Sequence, residues 1–298
     1  MAQLEMGQFK TKIKQDFVKL LDFLAHVLAA DNYLSFGDAD DNERLSIARG
    51  LTDKFVNHAV TMLYLSGGTK QDLPSFKFDS YLYDFASIDV LTRVLLEACL
   101  TFHYVFYAPA TKADKDYRYW VYKATAILER QSFRDSSEEI RQSKAEDAKV
   151  LDKLLERLKS NVVFRSLTEA QRTRCFKGKE LNLWRWDPDI RKVLSWREIA
   201  IDAGFSKTVA SEMYRYMSGS AHSSFLSVFL SVETQKSGTQ EEAILISKGT
   251  ANSVIANMVR EYCGLFPKAR EIWSTHPKVG KLVEFWIQID RTLDEFKK

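Results

Sequence analysis

Apolar residues recur at intervals of three and four along most of this chain. Met6, Phe9, Ile13, Phe17, Leu20, Leu24 and Leu28 mark one face of a first helix. After a loop over 31–40, Asp40 and Glu43 stand at capping-box spacing. Leu45, Ala48, Leu51, Phe55, Ala59 and Met62 then continue as a second helix, stopped by Gly67 and Gly68. Residues 69–83 read as a connection. A third helix, about 85–107, is apolar on nearly every side, which predicts a central position, and Pro109 ends it.

A fourth helix, about 114–133, carries Tyr117, Trp120, Val121, Ala124, Ile127 and Leu128. A fifth, about 137–158, has a narrow stripe of Ala148, Leu151, Leu155 and Leu158; the two predict a hairpin. Residues 159–194 are the least regular, with one short helix from Thr168. Ser195 and Glu198 form a capping box for a short helix that stops at Gly204, and Ser206 caps the next. Beyond His222, the positions Phe225, Val228, Phe229 and Val232 keep helical spacing. Residues 237–240 break it, and two or three further helices fill 241–296, punctuated by Pro267 and Pro277.

The pattern predicts an all-α protein: a multi-helix bundle over 1–298 as a single domain. A long helical hairpin, 114–160, protrudes from it, and 161–194 form an irregular basic connection. Composition agrees, since 12 glycines and 5 prolines leave few turns for a many-stranded fold. The three cysteines are far apart with no C-x-x-C, which argues against a disulfide framework or zinc site and for a reducing, cytoplasmic setting. The first residues lack the apolar run of a signal peptide. The most apolar stretch, 90–106, is interrupted by Arg93, Glu97 and His103, so it reads as a buried helix and not a membrane span. A net charge of +3 selects no partner.

Nucleotide-loop, H-E-x-x-H and G-x-S-x-G motifs are absent, and no metal or cofactor is expected. Three features carry chemistry. Arg93 and Glu97 lie one turn apart on the apolar third helix, where two charges are costly unless paired. Arg215 and His222 are seven residues apart, about two turns, so a continuous helix would present both on one face. Gly219, between Ser218 and Ser220, loosens that helix or ends it. Histidine suits acid–base chemistry near neutrality and arginine suits a phosphate; together they fit metal-free phosphodiester cleavage. The third feature is a basic segment, 157–197, with eleven Lys/Arg against four Asp/Glu. Within it Arg172, Arg174, Lys177, Lys179, Trp184, Arg185 and Trp186 interleave charge with aromatics, as single-stranded nucleic acid binding requires.

The stretch 93–106 with Tyr214, Ser218 and His222 resembles a bacterial family of helical proteins known only as a domain of unknown function. Its R-x-x-x-E falls on Arg93 and Glu97, and its Y-x-x-x-S-x-x-x-H on Tyr214, Ser218 and His222, over about 84–232. That resemblance implies no activity. R-x(4–6)-H resembles the signature of HEPN ribonucleases, helical proteins that dimerise and cut RNA without metal. Arg215 and His222 have its longest spacing, although Tyr216 replaces a small polar residue and Gly219 interrupts the helix. The resemblance implies that Arg215 stabilises the phosphorane and that His222 assists attack by the 2′-hydroxyl. RNA and a second copy of the chain are the partners expected on this reading. The alternative is a non-catalytic helical interaction protein with a protein partner, in which Arg93, Glu97, Tyr214, Ser218 and His222 form a buried polar network. Exposure of Arg215 and His222 separates the two.

Overall fold

The structure is a computed structural model, and it describes residues 2–30, 39–68, 72–73, 76–77, 83–134, 137–176, 185–187 and 192–295. It is all-α. Strand pairing among the described residues is confined to two antiparallel pairs of two-residue strands, β1 (Asp72–Leu73) with β2 (Phe76–Lys77) and β3 (Trp186–Asp187) with β4 (Lys192–Val193). The chain forms two compact units, one of 1–102 with 196–298 and one of 103–195.

In the first unit α1 (Ala2–Ala30), α2 (Ala39–Leu65), α3 (Phe85–Phe102) and α11 (Gln240–Leu265) make the core. The face read on α1 is buried from Ile13 onward, whereas Phe9 is 46% exposed and sits at the rim of a groove. On α2, Leu45, Ala48, Phe55, Ala59 and Met62 are buried as their spacing predicts. The carboxylate of Asp84 caps α3 by accepting from Ser87 N at 3.0 Å. Helix α3 then packs against α2, α9 (Tyr214–Ala221) and α11, the central place its apolar sequence predicts. Helix α11 is buried along most of its length and also meets α1, α12 (Pro267–Ser274) and α13 (Pro277–Thr292).

The segment leading to α9 departs from regular helix. Helix α8 (Trp196–Asp202) stops before Gly204, at φ 87°. The Ser206 hydroxyl accepts from Val209 N at 3.1 Å, as a cap should, but it opens a π-helical turn, Thr208–Met213. Asp290 and Asp294 near the end of the chain explain why. Ser206 N and Oγ donate to Asp290, while Lys207 N and Thr208 N donate to Asp294. Side chains distant in sequence therefore fix this turn.

The second unit opens with another π-helical turn, His103–Tyr107. Helix α4 (Lys112–Gln131) and α5 (Glu138–Ser160) form the hairpin, and α6 (Val162–Ser166) and α7 (Glu169–Phe176) follow. Ala124, Ile127 and Leu154 are its buried centre, with Trp120 and Leu151 against them. The α5 stripe holds at Leu151 and Leu158 and is corrected at its other two positions. Ala148 is exposed and Asp147 is buried in its place, because Asp147 pairs with Arg130 across the hairpin; Leu154 is buried deeper than Leu155. Helix α7 begins with a reciprocal cap in which Thr168 N donates to Gln171 Oε1 at 2.7 Å and Gln171 N to Thr168 Oγ1 at 3.3 Å.

Candidate functional site

Helices α3 and α9 meet through polar side chains set into apolar surroundings. Arg93 Nε donates to Glu97 Oε1 at 2.9 Å, one turn along α3. Its two terminal nitrogens reach α9, one to Ser218 Oγ at 3.2 Å and the other to the Tyr214 hydroxyl at 3.3 Å. That hydroxyl in turn donates to Glu97 Oε1 at 2.8 Å. The ring closes on itself, so the two charges are paired within it. Burial and the Glu97 carboxylate push the Tyr214 phenol up to about 12, so it remains a donor at neutral pH.

One turn earlier on α3 a second cluster repeats the arrangement. Asp89, fully buried, accepts from Ser220 Oγ at 2.9 Å, from the Ser247 hydroxyl on α11 and from the Tyr216 phenol. Burial raises the Asp89 carboxyl above its ordinary value, and the hydroxyl donors offset part of that rise. Burial, then Asp89, pushes Tyr216 up to about 12. Asp89, Arg93 and Glu97 follow each other at i, i+4 and i+8, a polar stripe that faces Ser220, Ser218 and Tyr214 in turn. The R-x-x-x-E spacing pointed to two members of this stripe. Asp89 was missed, although it extends the same four-residue interval.

Beyond the clusters α9 ends. His222 is its C-cap, Ser223 turns through φ 49°, and Ser224 caps α10 (Phe225–Ser237) by accepting from Ser227 N at 3.3 Å. Gly219 permits this turn, because a Cβ there would lie 2.9 Å from Ser224 Oγ. The helix thus breaks at His222–Ser223, three residues after the glycine, and His222 stands outside the polar network that takes Tyr214 and Ser218. Arg215 and His222 are both exposed, and neither side chain has a hydrogen-bond or ion-pair partner among the described residues. Arg215 lines a cleft of 390 Å³ with Glu212, Ser224 and Ser227; His222 does not line it.

The basic segment is described only in part. Arg172 lines a 550 Å³ cleft of the second unit beside Lys159 and Glu169. Arg185 is 8% exposed and so does not offer its guanidinium to a surface ligand. Lys177, Lys179 and Trp184, and the side chains of Arg174 and Trp186, lie outside the described residues. Cys99 and Cys263 are buried thiols, and burial pushes Cys99 well above its ordinary value, away from nucleophilic use. No group of metal-ligating side chains occurs among the described residues, and no helix among them is long and apolar enough to cross a membrane.

No curated protein and no solved structure matches the chain. A family model does, across residues 82–239, a span that begins just before α3 and ends just after α10. It therefore holds both sides of the Arg93–Glu97–Tyr214–Ser218 ring as well as Arg215 and His222. With more than half of its length matched, the chain belongs to the family of unknown function DUF5677.

Proposed function

We propose that this protein is a metal-independent endoribonuclease of HEPN-like type, working in the cytoplasm, with Arg215 and His222 as its catalytic pair. The observation that carries the reading is that both side chains are exposed and uncommitted, Arg215 in the first turn of α9 and His222 at its C-cap, while the structural burden of the helix falls on Tyr214 and Ser218. In the reaction the His222 imidazole takes the proton of an RNA 2′-hydroxyl as that oxygen bonds to phosphorus. The Arg215 guanidinium stabilises the charge gathering on the non-bridging oxygens. The bond to the 5′ oxygen breaks and that oxygen takes a proton from water, leaving a cyclic phosphate and a 5′-hydroxyl. Arg172, in the cleft of the second unit, offers RNA a further phosphate contact.

The site operates between two copies of the chain. Helix α10 begins three residues after His222 and turns Phe225, Leu226, Val228, Phe229 and Val232 to solvent, with Phe225 at 85% and its ring stacked on Phe229. These five side chains expose on the order of 600 Å², close to what one partner of a standard interface contributes. The same face favours a second reading, a non-catalytic interaction protein that uses α10 to bind another protein and the α3–α9 ring to fix helix register. Cleavage of RNA in EDTA by the wild-type chain and by His222→Ala separates the two.

A further inference from the structure

Another concave site of the first unit is lined by neither Arg215 nor His222. The π-helical turn Thr208–Met213 forms one wall, and α1, α11 and α13 the others, around a groove of 470 Å³. That is about three times the cavity that takes a benzene ring, and it lies within the range of small-molecule sites.

Its chemistry is set by what the walls withhold. Lys10 and Glu242 at the rim are bonded to each other at 2.8 Å, so the groove presents no uncompensated charge. The Thr208 hydroxyl donates to Asp294 at 2.9 Å, Thr250 to the Ile246 carbonyl at 3.3 Å, and Ser253 to the Trp286 carbonyl at 3.1 Å. The indole N–H of Trp286 donates to Asp16 at 3.1 Å. Each polar side chain on the wall already has its partner, and the remaining surface is Phe9, Ile13, Val209, Leu245, Ile289 and their apolar neighbours. A charged or strongly hydrogen-bonding ligand would have to displace these bonds, whereas an apolar one would disturb none.

The sequence also keeps the groove open. Gly249 lies in the interior of α11, on the groove wall, and a Cβ added there would meet nothing within 4 Å. A mid-helix glycine costs stability relative to alanine, so its place beside empty space marks room that a side chain would take. We infer that this groove is a binding site for an uncharged, apolar small molecule of about 15–20 non-hydrogen atoms, a size set by the ratio of its volume to a benzene-sized cavity. The inference does not depend on the ribonuclease reading.

N-phenyl-1-naphthylamine, a neutral apolar fluorophore of this size, tests it with the full-length protein. The wild-type chain is expected to enhance its fluorescence saturably. The sulfonated analogue 8-anilinonaphthalene-1-sulfonate is expected to bind at least tenfold more weakly. Gly249→Phe, which fills the groove, is expected to weaken the neutral probe at least tenfold. Ile246→Arg, at a rim position 60% exposed and therefore tolerant of substitution, gives the same readout should Gly249→Phe fail to fold. No saturable enhancement, equal or tighter binding of the sulfonate, or neutral-probe binding unchanged in the folded variants would overturn the assignment.

Discussion

The Tyr214 hydroxyl donates to Glu97 Oε1 at 2.8 Å while accepting from Arg93 at 3.3 Å, so one oxygen on α9 bridges both charges on α3. Tyr214→Phe is expected to lower stability by about 1 kcal/mol, the net worth of such a bond. Glu97→Ala leaves a partly buried guanidinium unpaired and is expected to cost about 2 kcal/mol. Arg93→Met with Glu97→Leu should cost less than the two single changes added together. Urea unfolding measures these variants together with the Arg93→Met and Glu97→Leu singles; additive or negligible losses would show that the ring does not tie α3 to α9.

Lys248 on α11 is buried over the Phe17 ring, and burial, followed by Lys14, lowers its ammonium from 10.5 to about 8. Below pH 8 both folded and unfolded chains carry this proton, and the folded state bears the full cost of burying it. Between about 8 and 10.5 the unfolded chain holds more protons, so this group makes stability rise with pH in that window. Lys248→Met should be more stable than wild type at pH 7 and should remove the rise. Unfolding midpoints at pH 7, 8, 9 and 10 check this; parallel profiles for the two proteins would refute it.

Two glycines should respond in opposite directions. Alanine at Gly219 would bring a Cβ to 2.9 Å from Ser224 Oγ and turn that hydroxyl away from Ser227 N, a loss of about 1 kcal/mol for the cap. Alanine at Gly249 meets nothing and improves helix propensity, a gain of about 0.5–1 kcal/mol. Thermal midpoints should move down for the first and up for the second; a shared direction would contradict the local geometry of one of them.

Phe229→Glu places a charge in the middle of the exposed α10 face, at a side chain that is itself 48% exposed. Light scattering on a sizing column should show a dimer for the wild-type chain and a monomer for the variant. A wild-type monomer at all concentrations would remove the second copy from the proposed site.

Much of the fold was legible because long helices write their buried face into sequence at intervals of three and four, as α1, α2 and α3 do. On α5, Leu151 and Leu158 take the inner face that their spacing predicts, but Asp147 is buried where Ala148 was expected, because it pairs with Arg130, a partner that periodicity cannot see. The π-helical turn before α9 was hidden for a similar reason, since Asp290 and Asp294 hold it from more than eighty residues away. On α10 the spacing of Phe225, Val228, Phe229 and Val232 announced a helix, yet apolar spacing says nothing about whether a face meets the core or the solvent. The R-x-x-x-E and Y-x-x-x-S spacings did identify residues that meet, because each places two polar groups on one helical face. His222 has the same interval but falls past the end of the helix, and so departs from the ring.

The central claim is that Arg215 and His222 cut RNA, and single-turnover cleavage of a labelled oligoribonucleotide in EDTA tests it most directly. The wild-type chain is expected to produce a 2′,3′-cyclic phosphate and a 5′-hydroxyl, and to leave an oligodeoxyribonucleotide of the same sequence intact. His222→Ala and Arg215→Ala, with unchanged thermal midpoints, should each be slower by about 10²-fold or more. Cleavage at the wild-type rate by either folded variant, or none by the wild type, would contradict the claim.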